Sequence, residues 1–157
     1  MTEPTENSWQ LSVRRRIPAR REVVYEAWID PQGIREWMCP GDTVSAEARL
    51  DVRVGGSYRI VMKGKDRDHV HTGIYQVVDA PSKLVFTWTQ EDDEVPMLVT
   101  VEFLARGDET ELVLTHERLP DADVMKRYER GWGQIAEKFG AYLAGRIRTA
   151  GTPGFKK

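Results

Sequence analysis

The chain has 157 residues, 40% hydrophobic and 31% charged, with 23 Lys and Arg against 25 Asp and Glu, a formal net charge of −2. Those values exclude a disordered or fibrous chain and argue against a surface that takes a polyanion by bulk positive charge. Five tryptophans stand out in so short a sequence. One cysteine, Cys39, cannot close an intramolecular disulfide. Met1 to Trp9 holds two glutamates and no apolar run, so no secretory signal is expected. No uncharged stretch approaches the roughly 20 residues a bilayer span needs, so no membrane insertion and a cytoplasmic location are expected.

In chain order, Trp9, Leu11, Val13 and Ile17 share one parity, which predicts a half-buried strand ended by Pro18. Val23, Val24, Ala27 and Trp28 then fall at helical spacing over Arg20 to Ile29, and Asp30-Pro31 stops that helix. A second short helix is read over Gln32 to Met38, closed by Pro40-Gly41. From Thr43 to Glu117 the apolar period is two. Strands are predicted around Val44 to Leu50, around Tyr58 to Met62, and at His69 to Val78, Leu84 to Gln90, Met97 to Ala105 and Thr110 to Glu117. Their separators, among them Gly55-Gly56, Asp79 to Ser82, Glu91 to Glu94 and Arg106 to Asp108, are turn material, so the six strands form an antiparallel meander.

Asp121 is then a candidate N-cap for a helix of about 25 residues. Its stripe is Met125, Tyr128, Trp132, Ile135, Phe139 and Tyr142. Gly131, Gly133 and Gly140 interrupt it, each at a cost of about 1 kcal/mol against alanine, so packing or free space is expected to explain them. The whole predicts an α+β architecture. A curved antiparallel sheet of about seven strands closes toward its first strand and wraps a long C-terminal helix, with two short helices plugging one end. The domain is placed at residues 8–148, with flexible termini at 1–7 and 149–157.

The segment VRRRIPARREVVYEAWIDPQGIREWMCP, Val13 to Pro40, carries a resemblance that periodicity alone does not supply. Collinear with it are Asp51 to Gly56, Gly73-Ile74-Tyr75, Pro81 to Trp88, Leu112 to His116 and Gly131-Trp132. Together they resemble the START-like (SRPBCC) helix-grip superfamily, in the group named for the C-terminal domain of the activator of the heat-shock-protein-90 ATPase. The sequence departs from that pattern at Arg20, where the family has proline, and at Met38-Cys39, where it has Trp-Gly. The resemblance implies the helix-grip fold and three functional readings. The first is non-catalytic binding of a small apolar or amphipathic molecule, and the others are regulation of a chaperone ATPase and a cyclase or aromatase reaction in the same pocket.

The expected pocket lies between the sheet and the C-terminal helix. Its candidate residues are Trp28, Trp37 and Met38 from the plug, Tyr58, Ile60, Met62, His71, Tyr75, Phe86, Trp88, Val101 and Phe103 from the sheet, and Trp132, Ile135 and Phe139 from the helix. The same strand parity reads equally as a filled core. Arg15, His71, Tyr75 and His116 are the polar groups an enzyme would use, but no catalytic residue is assigned. His69 and His71 share a strand face without the third ligand a metal needs, so neither metal nor cofactor is expected. Arg14, Arg15, Arg16, Arg20 and Arg21 lack interleaved aromatics and predict no nucleic-acid partner. For Arg15 an ion pair with an acidic loop residue is expected, for His116 a structural hydrogen bond, and for Cys39 a small buried role. Homodimerisation through outer sheet faces or edges is compatible with the pattern.

Overall fold

The computed structural model describes residues 9–90 and 95–150. Strand β1 (Trp9–Ile17) leads into helices α1 (Arg21–Trp28) and α2 (Pro31–Trp37). Six strands follow, β2 (Ser45–Leu50), β3 (Ser57–Lys63), β4 (Asp68–Asp79), β5 (Lys83–Gln90), β6 (Met97–Arg106) and β7 (Glu109–Leu119), then helix α3 (Ala122–Ala150). They form one seven-stranded sheet in the order β1-β7-β6-β5-β4-β3-β2, antiparallel at every pairing. This is the expected α+β helix-grip arrangement, a meander whose last strand pairs with the first.

Local chemistry explains the boundaries. The Asp30 carboxylate accepts from the Gln32 amide at 3.1 Å and Pro31 fills the first helical position, so the residue that ends α1 also caps α2. Asp121 accepts from the Val124 amide at 2.9 Å and caps α3. That helix is 29 residues long, Ala122 to Ala150, against the roughly 25 residues expected. The remaining expectations for flexible ends, and the acidic turn Glu91 to Glu94, lie outside the described residues. At Trp9 the parity reading fails, because the register slips between Trp9 and Leu11 and turns that indole outward, leaving it 45% exposed. Val44 likewise precedes β2 and is exposed.

The alternating residues of β3 and β5 to β7 that were read as inward are all buried, as are Trp132, Ile135 and Phe139 from α3. The arginines of β1 and α1 are each engaged. Arg14 pairs with Glu111 at 2.7 Å, Arg16 with Glu109 at 2.9 Å, Arg20 with Asp108 at 3.6 Å, and Arg21 donates to Ser82 Oγ at 3.2 Å. Arg15 pairs with Glu137, a residue of α3 and not the loop acid expected. Gly140 makes this possible, since a Cβ there would lie 3.0 Å from Arg15 Nε.

Two buried histidines tie the core together. Trp132 Nε1–H donates to His116 Nδ1 at 2.8 Å, joining α3 to β7. His116 therefore carries its proton on Nε2, which is buried without a partner. Burial, reinforced by the nearby His71, lowers the pKa of His116 to about 3, and burial with a smaller contribution from His69 lowers that of His71 to about 4.

Because the unfolded histidines titrate near 6.5, the unfolded chain takes up protons that the folded one refuses. Stability is complete above about pH 6.5 and falls as the pH drops toward 4, by up to roughly 1 kcal/mol per pH unit and per histidine. Urea denaturation across that window checks this, with His116→Gln flattening the slope; a stability independent of pH would contradict it. Two glycines give opposite expectations. At Gly73 a Cβ would stand 1.9 Å from the Thr87 carbonyl oxygen and 2.5 Å from the Tyr58 ring, so Gly73→Ala should cost more than about 3 kcal/mol. At Gly133 a Cβ meets nothing within 4 Å, so Gly133→Ala should add about 1 kcal/mol, read from the same denaturation midpoints.

Candidate functional site

Large rings divide the space between α3 and the sheet into a filled half and an open half. In the filled half, Trp28 of α1 and Trp37 of α2 have centroids 4.8 Å apart, and both meet Phe139 of α3, at 5.2 and 4.5 Å. Phe103 of β6 closes on Trp28 at 6.3 Å and on Tyr25 at 5.4 Å. Met38 is buried beside this cluster. The void left between Trp28, Leu114, Trp132 and their neighbours is about 10 Å³, at most a single water. Here the predicted pocket residues Trp28, Trp37, Met38, Phe103 and Phe139 are core.

The open half is a cleft of about 310 Å³, at the lower end of the range typical of small-molecule sites. The sheet contributes Met62 of β3, His69 and His71 of β4, and Trp88 and Gln90 of β5. The chain from Pro40 to Thr43, between α2 and β2, forms one lip, and α3 contributes Arg127, Tyr128, Arg130, Gly131, Trp132, Gln134 and Ile135. The lip is fixed to the helix, since the Gly41 amide donates to Gln134 Oε1 at 2.6 Å and Lys138 Nζ to the Cys39 carbonyl. The Cys39 thiol is itself buried, donates to the Arg35 carbonyl at 3.6 Å, and has its pKa raised by that burial. Its role is the small buried one expected.

The cleft wall is a run of rings. His71 stacks on Trp88 at 4.5 Å, and Trp88 meets Trp132 at 5.0 Å. Beyond Trp132, His116 packs against Tyr128 at 4.6 Å. Trp88 Nε1 and His71 Nδ1 belong to rings of this wall and are buried without a hydrogen-bond partner. Burial holds His71 neutral, and among the described residues the Arg, Lys, Asp and Glu side chains that line the cleft are Arg127, Arg130 and Asp42.

Of the residues predicted to line a pocket, the cleft brings together Met62, His71, Trp88, Trp132 and Ile135. Tyr58, Tyr75 and Phe86 form an aromatic patch on β3 to β5, with centroids 5.5 to 5.8 Å apart, which meets Trp88 from behind the cleft at 6.2 Å from Tyr58 and 6.4 Å from Phe86, and Ile60 and Val101 are buried and do not line the cleft. Of the polar groups considered for catalysis, His71 alone lines it; Arg15 is held by Glu137, His116 by Trp132, and Tyr75 lies in the aromatic patch. Among the described residues no group of three potential metal ligands occurs, and no helix is long and apolar enough to cross a membrane. Sequence reasoning missed the lip at Pro40 to Thr43 and the polar row on α3. The signal for that row was available: Arg127, Arg130, Gly131 and Gln134 recur at helical spacing beside the apolar stripe.

Comparison with known proteins agrees with this architecture. A Rhodobacter sphaeroides protein superposes with a TM-score of 0.77 at 20% identity, covering 91% of this chain and 96% of that one. The solution structure of an AHSA1-like protein from Aeromonas hydrophila gives 0.69 at 26% identity, over 91% and 94% of the two chains. An HSP90 activator from Plasmodium falciparum gives 0.66 at 23% identity, over 92% and 97%. No curated protein matches the chain. The family model described as Activator of Hsp90 ATPase homolog 1-like protein matches residues 18–144, and the chain belongs to that family.

Proposed function

We propose that the protein binds a small, largely apolar or amphipathic molecule in the cleft between β3 to β5 and α3, without covalent chemistry on it. The observation that carries this reading is an aromatic-walled cleft of about 310 Å³ beside a tightly filled plug. Small-molecule sites are typically concave and mostly apolar, with a few polar groups at fixed places.

The likeness to the Plasmodium HSP90 activator, which spans 97% of that chain, favours a second reading, regulation of a chaperone ATPase. On that reading, adding the protein changes the ATPase rate of Hsp90, and an unchanged rate dismisses it. No observation favours the cyclase or aromatase alternative, because the polar groups it would recruit are dispersed.

Gly131 supplies the test of the cleft. A Cβ there would lie 3.7 Å from Pro40 Cβ, so Gly131→Phe places a ring across the opening. Wild type screened against lipids, aromatics and polyketides should show ligands that raise Tm by about 5–10 °C at a hundredfold excess over Kd and perturb tryptophan fluorescence. Gly131→Phe should lose both responses while keeping its circular dichroism and its own melting transition. A library that shifts neither signal, or a variant that still responds, overturns the reading.

A further inference from the structure

The rings of the cleft wall are closed off in this form of the molecule. Trp88 and Trp132 are each 2% exposed and His71 6%, although all three line the cavity. Among the described residues, three kinds of segment bound that cavity. The sheet residues sit in strand ladders and those of α3 in one continuous helix. The lip, Pro40 to Thr43, belongs to no helix or strand. Its one internal backbone hydrogen bond among the described residues runs from the Thr43 amide to the Pro40 carbonyl at 3.1 Å. The chain is fixed on either side, by the Met38 amide on the Ile34 carbonyl and the Val44 amide on the Lys63 carbonyl. Between those points two exposed residues of α3 hold it, Gln134 accepting from the Gly41 amide at 2.6 Å and Lys138 donating to the Cys39 carbonyl. Gly41 has a φ of 61°, and a Cβ there would meet nothing within 4 Å, so the exposed tip turns on a residue that tolerates large backbone changes.

Resting on the reading of the cleft as a small-molecule site, we infer that the lip is a strap that swings off α3 to admit a ligand to Trp88 and Trp132, with Gln134 and Lys138 as its two releasable anchors. Rings this closed offer a ligand almost no contact area, so entry requires part of the boundary to move. Moving α3 or a strand breaks a run of backbone hydrogen bonds. Moving the strap breaks two side-chain contacts and no ladder, which places it at the low-stability end of the local openings a fold permits. A hydrogen bond of that kind favours the closed form by a factor of about two to ten. Two of them keep the strap closed while leaving an open minority on the order of 1–10%. Pro40 then lifts away from Gly131, the residue that precedes Trp132 on α3.

The same pair of residues supplies the test, since a Cβ on Gly131 would lie 3.7 Å from Pro40 Cβ, inside the roughly 3.5–4.5 Å that a disulfide spans. A Pro40→Cys, Gly131→Cys variant in a Cys39→Ala background is bridged by oxidation and released by reduction. The neutral dye N-phenyl-1-naphthylamine should brighten on entering the wild-type cleft and stay dark with Gly131→Phe. The oxidised variant should take up the dye about tenfold more slowly than the same protein reduced, because the bridge removes the open minority. In Lys138→Ala the Gly41 amide should exchange its hydrogen about fivefold faster than in wild type, with Tm unchanged, although Lys138 makes no bond to that amide. Equal dye uptake by the oxidised and reduced forms, or unaltered Gly41 exchange in Lys138→Ala, overturns the strap and leaves the cleft reading standing. Absence of dye binding together with silence across the ligand library, while Gly41 exchange still accelerates in Lys138→Ala, overturns the cleft reading and leaves the strap as a moving segment.

Discussion

The hydrogen bond from Trp132 Nε1–H to His116 Nδ1, buried between α3 and β7, is the contact around which the site is arranged. An indole this large could be packed against a sheet in several orientations by apolar contact alone, because the hydrophobic effect has no direction. The hydrogen bond selects one. It sets one edge of the indole toward β7 and brings the ring 5.0 Å from Trp88 on β5, so the helix spans the sheet at a fixed rotation. His116 must stay neutral to accept that bond, and its burial keeps it so. Apolar packing of α3 on the sheet, a capped helix start at Asp121 and the Arg15–Glu137 pair over Gly140 then reinforce a position already chosen.

With α3 fixed, side-chain volume decides where space remains. On the plug side Trp28 and Trp37 meet Phe139 and fill the interval to near closure. On the other side α3 presents Gly131 to the lip, whose backbone is held back by Gln134 and Lys138. The cleft therefore follows from an unequal distribution of bulk along a single helix. A glycine in a helix interior normally costs stability, and here a Cβ would stand 3.7 Å from Pro40 on the lip of the cleft. Gly133 has no such neighbour, and nothing in the structure explains it.

Much of the fold was legible in the sequence because its signals are local and periodic. Two-residue alternation from Tyr58 to Leu114 marks the inward face, and the stripe from Met125 to Tyr142 marks α3; Asp30-Pro31 and Asp121 mark helix boundaries through the hydrogen bonds their side chains make. Trp9 escaped this logic because a register slip reverses parity without changing composition. The site was less legible for a related reason. Alternation reports that Trp28, Phe103 and Trp88 are all inward, but whether an inward ring meets another ring or an empty space depends on contacts between elements distant in sequence. Periodicity carries no such information. The polar residues of the cleft were passed over because arginines on an exposed helix face ordinarily need no explanation, and theirs comes only from the concavity beside them.

On the proposed function, the tryptophans of this domain divide into a plug pair, Trp28 and Trp37, and a cleft pair, Trp88 and Trp132. The indole N–H signals in a nitrogen-15 correlation spectrum test it most directly, once each is assigned by single Trp→Phe replacement. Addition of a small molecule that raises Tm in the ligand screen should move the Trp88 and Trp132 signals and leave those of Trp28, Trp37 and the exposed Trp9 in place. Movement of the Trp28 and Trp37 signals with Trp88 and Trp132 unmoved would contradict the division, and with it this account of the cleft.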